Sequence, residues 1–115
     1  MADAALYFNP DCSKCRTAQG ILSDAGVAAD EVRYLDRPPT VPELRNLMQL
    51  LGIADPRDMI RTAEPVYGEL GLAAADADAL LAAVGAHPIL LERPIFVRDG
   101  RAVIARPPER VRELL

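Results

Sequence analysis

The residues with the greatest chemical reach in this chain are Cys12 and Cys15, set in Asn9-Pro10-Asp11-Cys12-Ser13-Lys14-Cys15-Arg16. The segment follows the apolar run Ala4-Ala5-Leu6-Tyr7-Phe8 and opens an amphipathic stretch carrying Ala18, Ile21, Leu22 and Ala25. A strand, a tight proline-containing turn and then a helix is the natural reading. It puts both cysteines in the first turn of the helix and on one face. Unbonded backbone N–H groups and the positive end of the helix dipole lie there, so a thiolate is favoured over a thiol. Thiolate is the species that attacks electrophiles and disulfides. A zinc site is a weaker reading, because tetrahedral zinc wants four ligands and His87 is the one further soft candidate. A structural disulfide is disfavoured by the tiny loop it would close and by the lack of a secretory signal. Two cysteines packed inertly in a core helix are the remaining alternative.

Charge in the later loops extends this chemistry. Lys14 is the lone lysine, and the other cations are arginines, most of them expected on the solvated surface. Three stand in a different context. Arg61 is expected at the end of a short helix, Arg93 precedes Pro94 at the entry to a strand, and Arg106 leaves the next strand before Pro107. Arginine presents a planar fork of donors suited to tetrahedral oxyanions. One such charge about 7 Å from a sulfur, at an effective dielectric near 20, is worth roughly 2 kcal/mol to the thiolate. The competing reading pairs Arg61 and Arg106 with nearby acids such as Asp58 and Glu109.

Length and composition bound the rest. At 115 residues, half of them hydrophobic, the chain is expected to form one domain spanning 1–115 around a single core. A net charge of −4 argues against bulk binding to nucleic acid or to a membrane surface. Met1-Ala2-Asp3 has no basic n-region, and no apolar stretch approaches the length of a membrane span. A reduced, cytoplasmic compartment is the expectation for two free cysteines.

The elements that must position these residues follow in order. Glu31 to Leu35 reads as a second strand ended by Arg37-Pro38-Pro39. Thr40 and Glu43 form a capping box for a helix whose apolar face is Val41, Leu44, Leu47, Met48 and Leu51. Asp55-Pro56 starts a short helix carrying Met59, Ile60 and Arg61. An alanine-rich helix is expected from Ala74 to Val84, stopped by Gly85. Ile95–Val97 and Ala102–Ala105 flank Asp99-Gly100, a strong hairpin signal. Pro107-Pro108 starts a terminal helix burying Val111, Leu114 and Leu115. This order is that of an α/β, thioredoxin-like fold: a mixed four-stranded sheet with a helical insertion, about 40–90, between the second and third strands.

With these residues in view, the chain resembles the glutaredoxin-coupled arsenate reductases of the bacterial ArsC type, nearly end to end. The matching segments are Tyr7-Phe8-Asn9-Pro10-Asp11-Cys12, Tyr34-Leu35-Asp36-Arg37-Pro38-Pro39-Thr40, Ile60-Arg61, Glu64-Pro65, Glu69-Leu70-Gly71-Leu72 and His87-Pro88-Ile89-Leu90-Leu91-Glu92-Arg93-Pro94-Ile95. The resemblance implies that Cys12 is the nucleophile on arsenate, that Arg61, Arg93 and Arg106 hold the oxyanion, and that the Arg93–Pro94 peptide is cis. Asn9 and Ser13, beside Cys12, join them as candidate substrate contacts. Two departures stand out. Well-studied members carry a histidine where this chain has Phe8, and they have a non-thiol residue at Cys15. The C-x-x-C pair is shared with the related Spx-type transcription regulators.

The favoured reading is therefore an arsenate reductase: Cys12 attacks arsenic, a second thiol completes the reduction, and arsenite leaves. That second thiol is either glutathione, resolved by glutaredoxin, or Cys15, with thioredoxin reducing the product. No bound cofactor or metal is expected, only an external thiol reductant. The partners implied are the arsenate/arsenite oxyanion and glutaredoxin or thioredoxin, with no nucleic acid and no membrane. A general thiol–disulfide oxidoreductase and an Spx-type redox-switch regulator are the alternatives, and neither calls for three converging arginines. His87 reads as a structural residue before proline, and Asp11, Lys14 and Arg16 as local tuners or solvated side chains.

Overall fold

The computed structural model of the chain describes residues 4–115. Two compact units are present: one comprises the chain up to Tyr34 together with Arg93–Leu115, and the other is the intervening Leu35–Glu92. The first unit holds a mixed four-stranded sheet. Its strands are β1 (Ala4–Tyr7), β2 (Asp30–Val32), β3 (Ile95–Arg98) and β4 (Arg101–Ile104), in the spatial order β2-β1-β3-β4. β1 runs parallel to β2 and antiparallel to β3, and β4 is antiparallel to β3. The parallel pair needs a crossover, and helix α1 (Ser13–Asp24) supplies it. This is the thioredoxin-like architecture.

Alternation explains β1. Ala4, Leu6 and Phe8 point to one face and are buried with Cys15, Ala18 and Leu22 of α1, Phe96, Val103, Ala105, Val111 and Leu114. Small side chains at Cys15 and Ala18, both fully buried, let α1 sit close on the sheet. The terminal segment Pro108–Leu114 closes the same core as a 3₁₀ helix. Leu115 was expected to be buried there but is 48% exposed, one residue beyond the last helical position. The β3–β4 hairpin turns on Asp99 (φ 51°) and Gly100 (φ 76°), the two left-handed positions that a tight primed turn requires.

β2 is shorter than its sequence suggested. It stops at Val32 instead of running from Glu31 to Leu35, because the Tyr34 amide turns back onto the Val32 carbonyl at 3.0 Å.

The second unit begins with Leu35 and is helical. In α2 (Val41–Leu51) the Thr40 hydroxyl accepts from the Glu43 amide at 3.3 Å and donates to the Glu43 carboxylate at 3.2 Å, so Thr40 caps the helix while the carboxylate takes the hydroxyl rather than the Thr40 amide of a full capping box. Leu44 and Leu47 are its buried residues, and Gly52 ends it in the left-handed conformation (φ 72°). Asp55 caps a 3₁₀ turn, Pro56–Met59, that ends before the expected Ile60 and Arg61. Ile60 instead bridges Leu91, and the Arg61 amide donates to the Leu90 carbonyl at 2.7 Å. Sequence reading missed α3 (Pro65–Glu69), a five-residue helix with no buried residue and hence no apolar periodicity. The alanine-rich helix α4 spans Ala77–Ala86, not Ala74–Val84. Its start is set by Asp76, whose carboxylate accepts from the Ala79 amide at 2.8 Å, while Leu72–Ala74 is a separate 3₁₀ turn. Gly85 does not stop the helix. The chain leaves it at His87, the residue before Pro88, where the helical conformation is disfavoured. A side chain at Gly85 would meet the Pro39 carbonyl at 3.4 Å, close to an ordinary contact.

Candidate active site

Sheet register brings the chemistry of the first unit to one edge. Tyr7, the last residue of β1, pairs with Ile95, the first of β3, and Ile95 pairs with Ile104, the last of β4. The loop after β1, the residues just before β3 and those just after β4 therefore leave the sheet side by side. They carry Cys12, Arg93 and Arg106 respectively, residues distant in sequence.

The loop before α1 is shaped by its own polar groups. Asn9 Oδ1 accepts from the Asp11 amide at 3.0 Å, and the Asn9 carbonyl accepts from the Cys12 amide at 3.0 Å. Arg16 Nη1 donates to the Pro10 carbonyl at 3.0 Å, tying the turn to the helix it precedes. Cys12 is thus not inside the first helical turn, as the sequence suggested, but at the N-cap in extended conformation (φ −95°, ψ 120°). That position aims its sulfur at the helix N-terminus. No acidic residue occupies the first turn, so nothing there cancels the positive end of the dipole.

Partial burial alone would push the Cys12 thiol upward. Against it act the Cys15 amide, the Cys15 thiol, the Arg93 guanidinium and the Lys14 amide, and together they hold Cys12 below the ordinary thiol value of 9.0. Cys15 goes the other way, to about 11. Burial is the main cause, helped by the hydrogen bond and negative charge of Cys12 and opposed by the Asn9 amide and the Arg93 charge. The pair is therefore asymmetric: a half-exposed, acidic Cys12 beside a buried, protonated Cys15.

Arg93 contributes more than charge. Its Nε and Nη1 are buried and have no hydrogen-bond partner. Buried guanidinium donors normally find an acceptor. Here they sit on a cation placed beside the Cys12 thiol, a setting that suits an anion. Arg106 Nη1 donates to the Arg93 carbonyl at 3.0 Å, so one arginine braces the loop carrying the other. The Arg93–Pro94 and Arg106–Pro107 peptides are both cis.

The other sequence candidates are placed as follows. Asn9 spends its side-chain oxygen on the Asp11 amide, and its own amide faces the Cys15 sulfur. Ser13 is exposed at the first position of α1, and its carbonyl accepts from the Thr17 hydroxyl at 3.0 Å. Arg61 belongs to the second unit, where its Nη1 lies 2.8 Å from Glu64 Oε1 rather than on Asp58. Phe8 is 4% exposed in the core, the next inward position of the β1 alternation, and donates its amide to the Val32 carbonyl. His87 caps α4 through its amide on the Ala83 carbonyl at 2.7 Å. Among the described residues no three His, Cys, Asp or Glu side chains are grouped to hold a metal ion, and no helix is long and apolar enough to cross a membrane. Sequence reading placed free backbone N–H groups at this helix start, and the amides of Lys14 and Cys15 act there on Cys12; it missed the Asn9 amide, which acts on Cys15.

Residues 7–114 match the family described as ArsC, which covers every element of this site from the β1 edge to the terminal 3₁₀ helix. The chain belongs to the ArsC family. An ArsC-family relative from Neisseria meningitidis serogroup A, named an arsenate reductase, is 44% identical over the full length of both chains. The solved structure of an arsenate reductase from Vibrio cholerae superposes with a TM-score of 0.96 at 43% identity, covering 99% of this chain and 98% of the other. An uncharacterized Escherichia coli protein, YfgD, is 41% identical over 96% of this chain and 94% of its own. In this ArsC-family site Phe8 is buried in the core and Cys15 lies beside Cys12.

Proposed function

We propose that this protein reduces arsenate to arsenite, with Cys12 as the nucleophile. One observation carries the reading: an acidic thiol at a helix N-cap touches an arginine that keeps two buried donors without a protein acceptor. Arsenate offers such a donor an oxygen acceptor and offers the sulfur an electrophilic arsenic. The names of the Neisseria and Vibrio relatives support the same substrate.

In this mechanism the Cys12 thiolate attacks arsenic, an As–O bond breaks, and the oxygen leaves as water. Arg93 donates to the arsenate oxygens, and its charge stabilises both the thiolate before attack and the oxyanion after it. Arg106 keeps the Arg93 loop in place and adds a second positive charge. Phe8 supplies no proton relay, so ionisation of Cys12 rests on the helix-start amides, the Cys15 thiol and Arg93. A thiol reductant from outside, glutathione with glutaredoxin or thioredoxin, must supply the two electrons, and the reduced cytoplasm is where such donors are abundant. Arg61 enters as a third oxyanion ligand through the sequence resemblance alone.

The test is direct. Purified protein is given arsenate with either the glutathione–glutaredoxin or the thioredoxin system, and NADPH consumption and arsenite are followed together. Stoichiometric arsenite formation with one system supports the reading, and its absence with both removes it. Arg61→Ala assayed beside Arg93→Ala shows whether the third arginine takes part.

A further inference from the structure

Beyond easing the ionisation of Cys12, Cys15 has no role in the steps above, although it sits at their centre. We propose that Cys15 is the resolving thiol for Cys12: once the Cys12 sulfur has been derivatised, Cys15 closes a disulfide onto it, and the reductant that regenerates the protein is therefore an external dithiol. For arsenate this rests on the proposed reductase function.

Three observations carry it. Cys12 stands at the N-cap of α1 and Cys15 in its first turn, and positions three apart at a helix start lie on one face, within the reach of a disulfide. Cys15 is fully buried, with Ala18 and Leu22 on the same helix face, so no external molecule approaches it and Cys12 is its neighbour for exchange. Finally, the Asn9 amide points at the Cys15 sulfur, and the Arg93 charge acts on it.

The environment also supplies the timing. In the resting protein, burial, the Cys12 hydrogen bond and the Cys12 negative charge all keep Cys15 protonated. Derivatising Cys12 removes its charge and its capacity to hold that hydrogen bond. The Asn9 amide and Arg93 remain, so ionisation of Cys15 becomes easier only after the first step is complete. Cys15 then attacks Cys12 Sγ, the S–As bond breaks with its electron pair passing to arsenic, and As(V) becomes As(III). The Cys15 proton goes to the departing arsenite, and the two sulfurs, having lost two electrons, are joined. An external dithiol attacks the accessible Cys12 sulfur of that disulfide, and its second thiol completes the reduction.

Two arms test this on the full chain, by intact mass after acid quench. Pre-reduced protein is first mixed with oxidised glutathione, which needs no arsenate chemistry. The expected product is wild-type protein lighter by two hydrogens with glutathione released, whereas Cys15→Ala and Cys15→Ser hold the glutathione adduct. In the second arm arsenate is added without any external thiol, and wild type is expected to release one arsenite per chain while both variants release none. A wild-type chain that keeps its glutathione adduct overturns the proposal, and this result does not depend on the variants folding. Disulfide closure with glutathione but no arsenite in the second arm, nor with any added thiol, supports Cys15 as the resolving thiol and removes the reductase reading instead.

Discussion

Replacing Arg93 by alanine separates the two duties assigned to one guanidinium. The arginine touches the Cys12 sulfur, and Cys12 is partly exposed, so the interaction falls between the water and near-surface limits for charges about 4 Å apart, roughly 1 and 4 kcal/mol. Taking about 1–2 kcal/mol for this partly solvated pair, the thiolate-to-thiol ratio at neutral pH should fall about five- to thirty-fold. Loss of a cation raises the thiol pKa, so the whole rate-against-pH curve moves to higher pH. Iodoacetamide alkylation, followed by mass at a series of pH values, reads this without any substrate. Above the titration the variant should react as fast as wild type or faster, because a more basic thiolate is the better nucleophile. Arg93→Lys should recover part of the pH shift but little of the arsenate affinity, since a point charge replaces the fork. Identical pH midpoints in wild type and Arg93→Ala would refute the electrostatic argument. Unchanged arsenate affinity in the alanine variant would refute the assignment of Arg93 to the oxyanion.

Other outcomes follow from the same geometry. Cys12→Ser should fold normally and lose arsenate reduction altogether, because a hydroxyl at that N-cap stays protonated at neutral pH; turnover above background, measured as arsenite, would place the nucleophile elsewhere. Cys15 titrates near 11 in the folded protein against 9.0 for a free thiol, so the native state holds its proton more tightly than the unfolded chain. The stability from this source is complete below pH 9 and is lost as pH rises through 11; the melting temperature should therefore fall across that window, and less so in Cys15→Ala. Thr40→Ala removes the cap of α2 and should cost about 1 kcal/mol in denaturant unfolding, with arsenate affinity per folded molecule unchanged. Gly100→Ala forces a side chain into φ 76° and should cost roughly 1–2 kcal/mol in the same measurement.

Local chemistry was legible in the chain. The Thr40 cap of α2, the Asp55-Pro56 start, the Asp99-Gly100 turn and the strand–turn–helix around Cys12 are each set by contacts within a few residues, and each is found where the sequence put it. Element ends were less legible. β2 stops at Val32 because of a turn, Leu115 lies outside the core although its side chain is apolar, and α4 passes through Gly85 to end before His87-Pro88. These choices depend on neighbours that periodicity cannot see.

The sequence by itself determined that a cysteine would stand at a helix start and that arginines would flank two later strands. The tertiary structure decided what those residues do to one another. Only the Tyr7–Ile95–Ile104 register puts Arg93 and Arg106 at the sheet edge that carries Cys12, across more than eighty residues of chain. Burial pushes both thiols of one short motif upward, but at Cys12 the Cys15 and Lys14 amides, the Cys15 thiol and Arg93 outweigh it, whereas at Cys15 burial prevails. Proton affinity depends on solvent access and on charges brought close by folding, and neither is written in the spacing of a C-x-x-C.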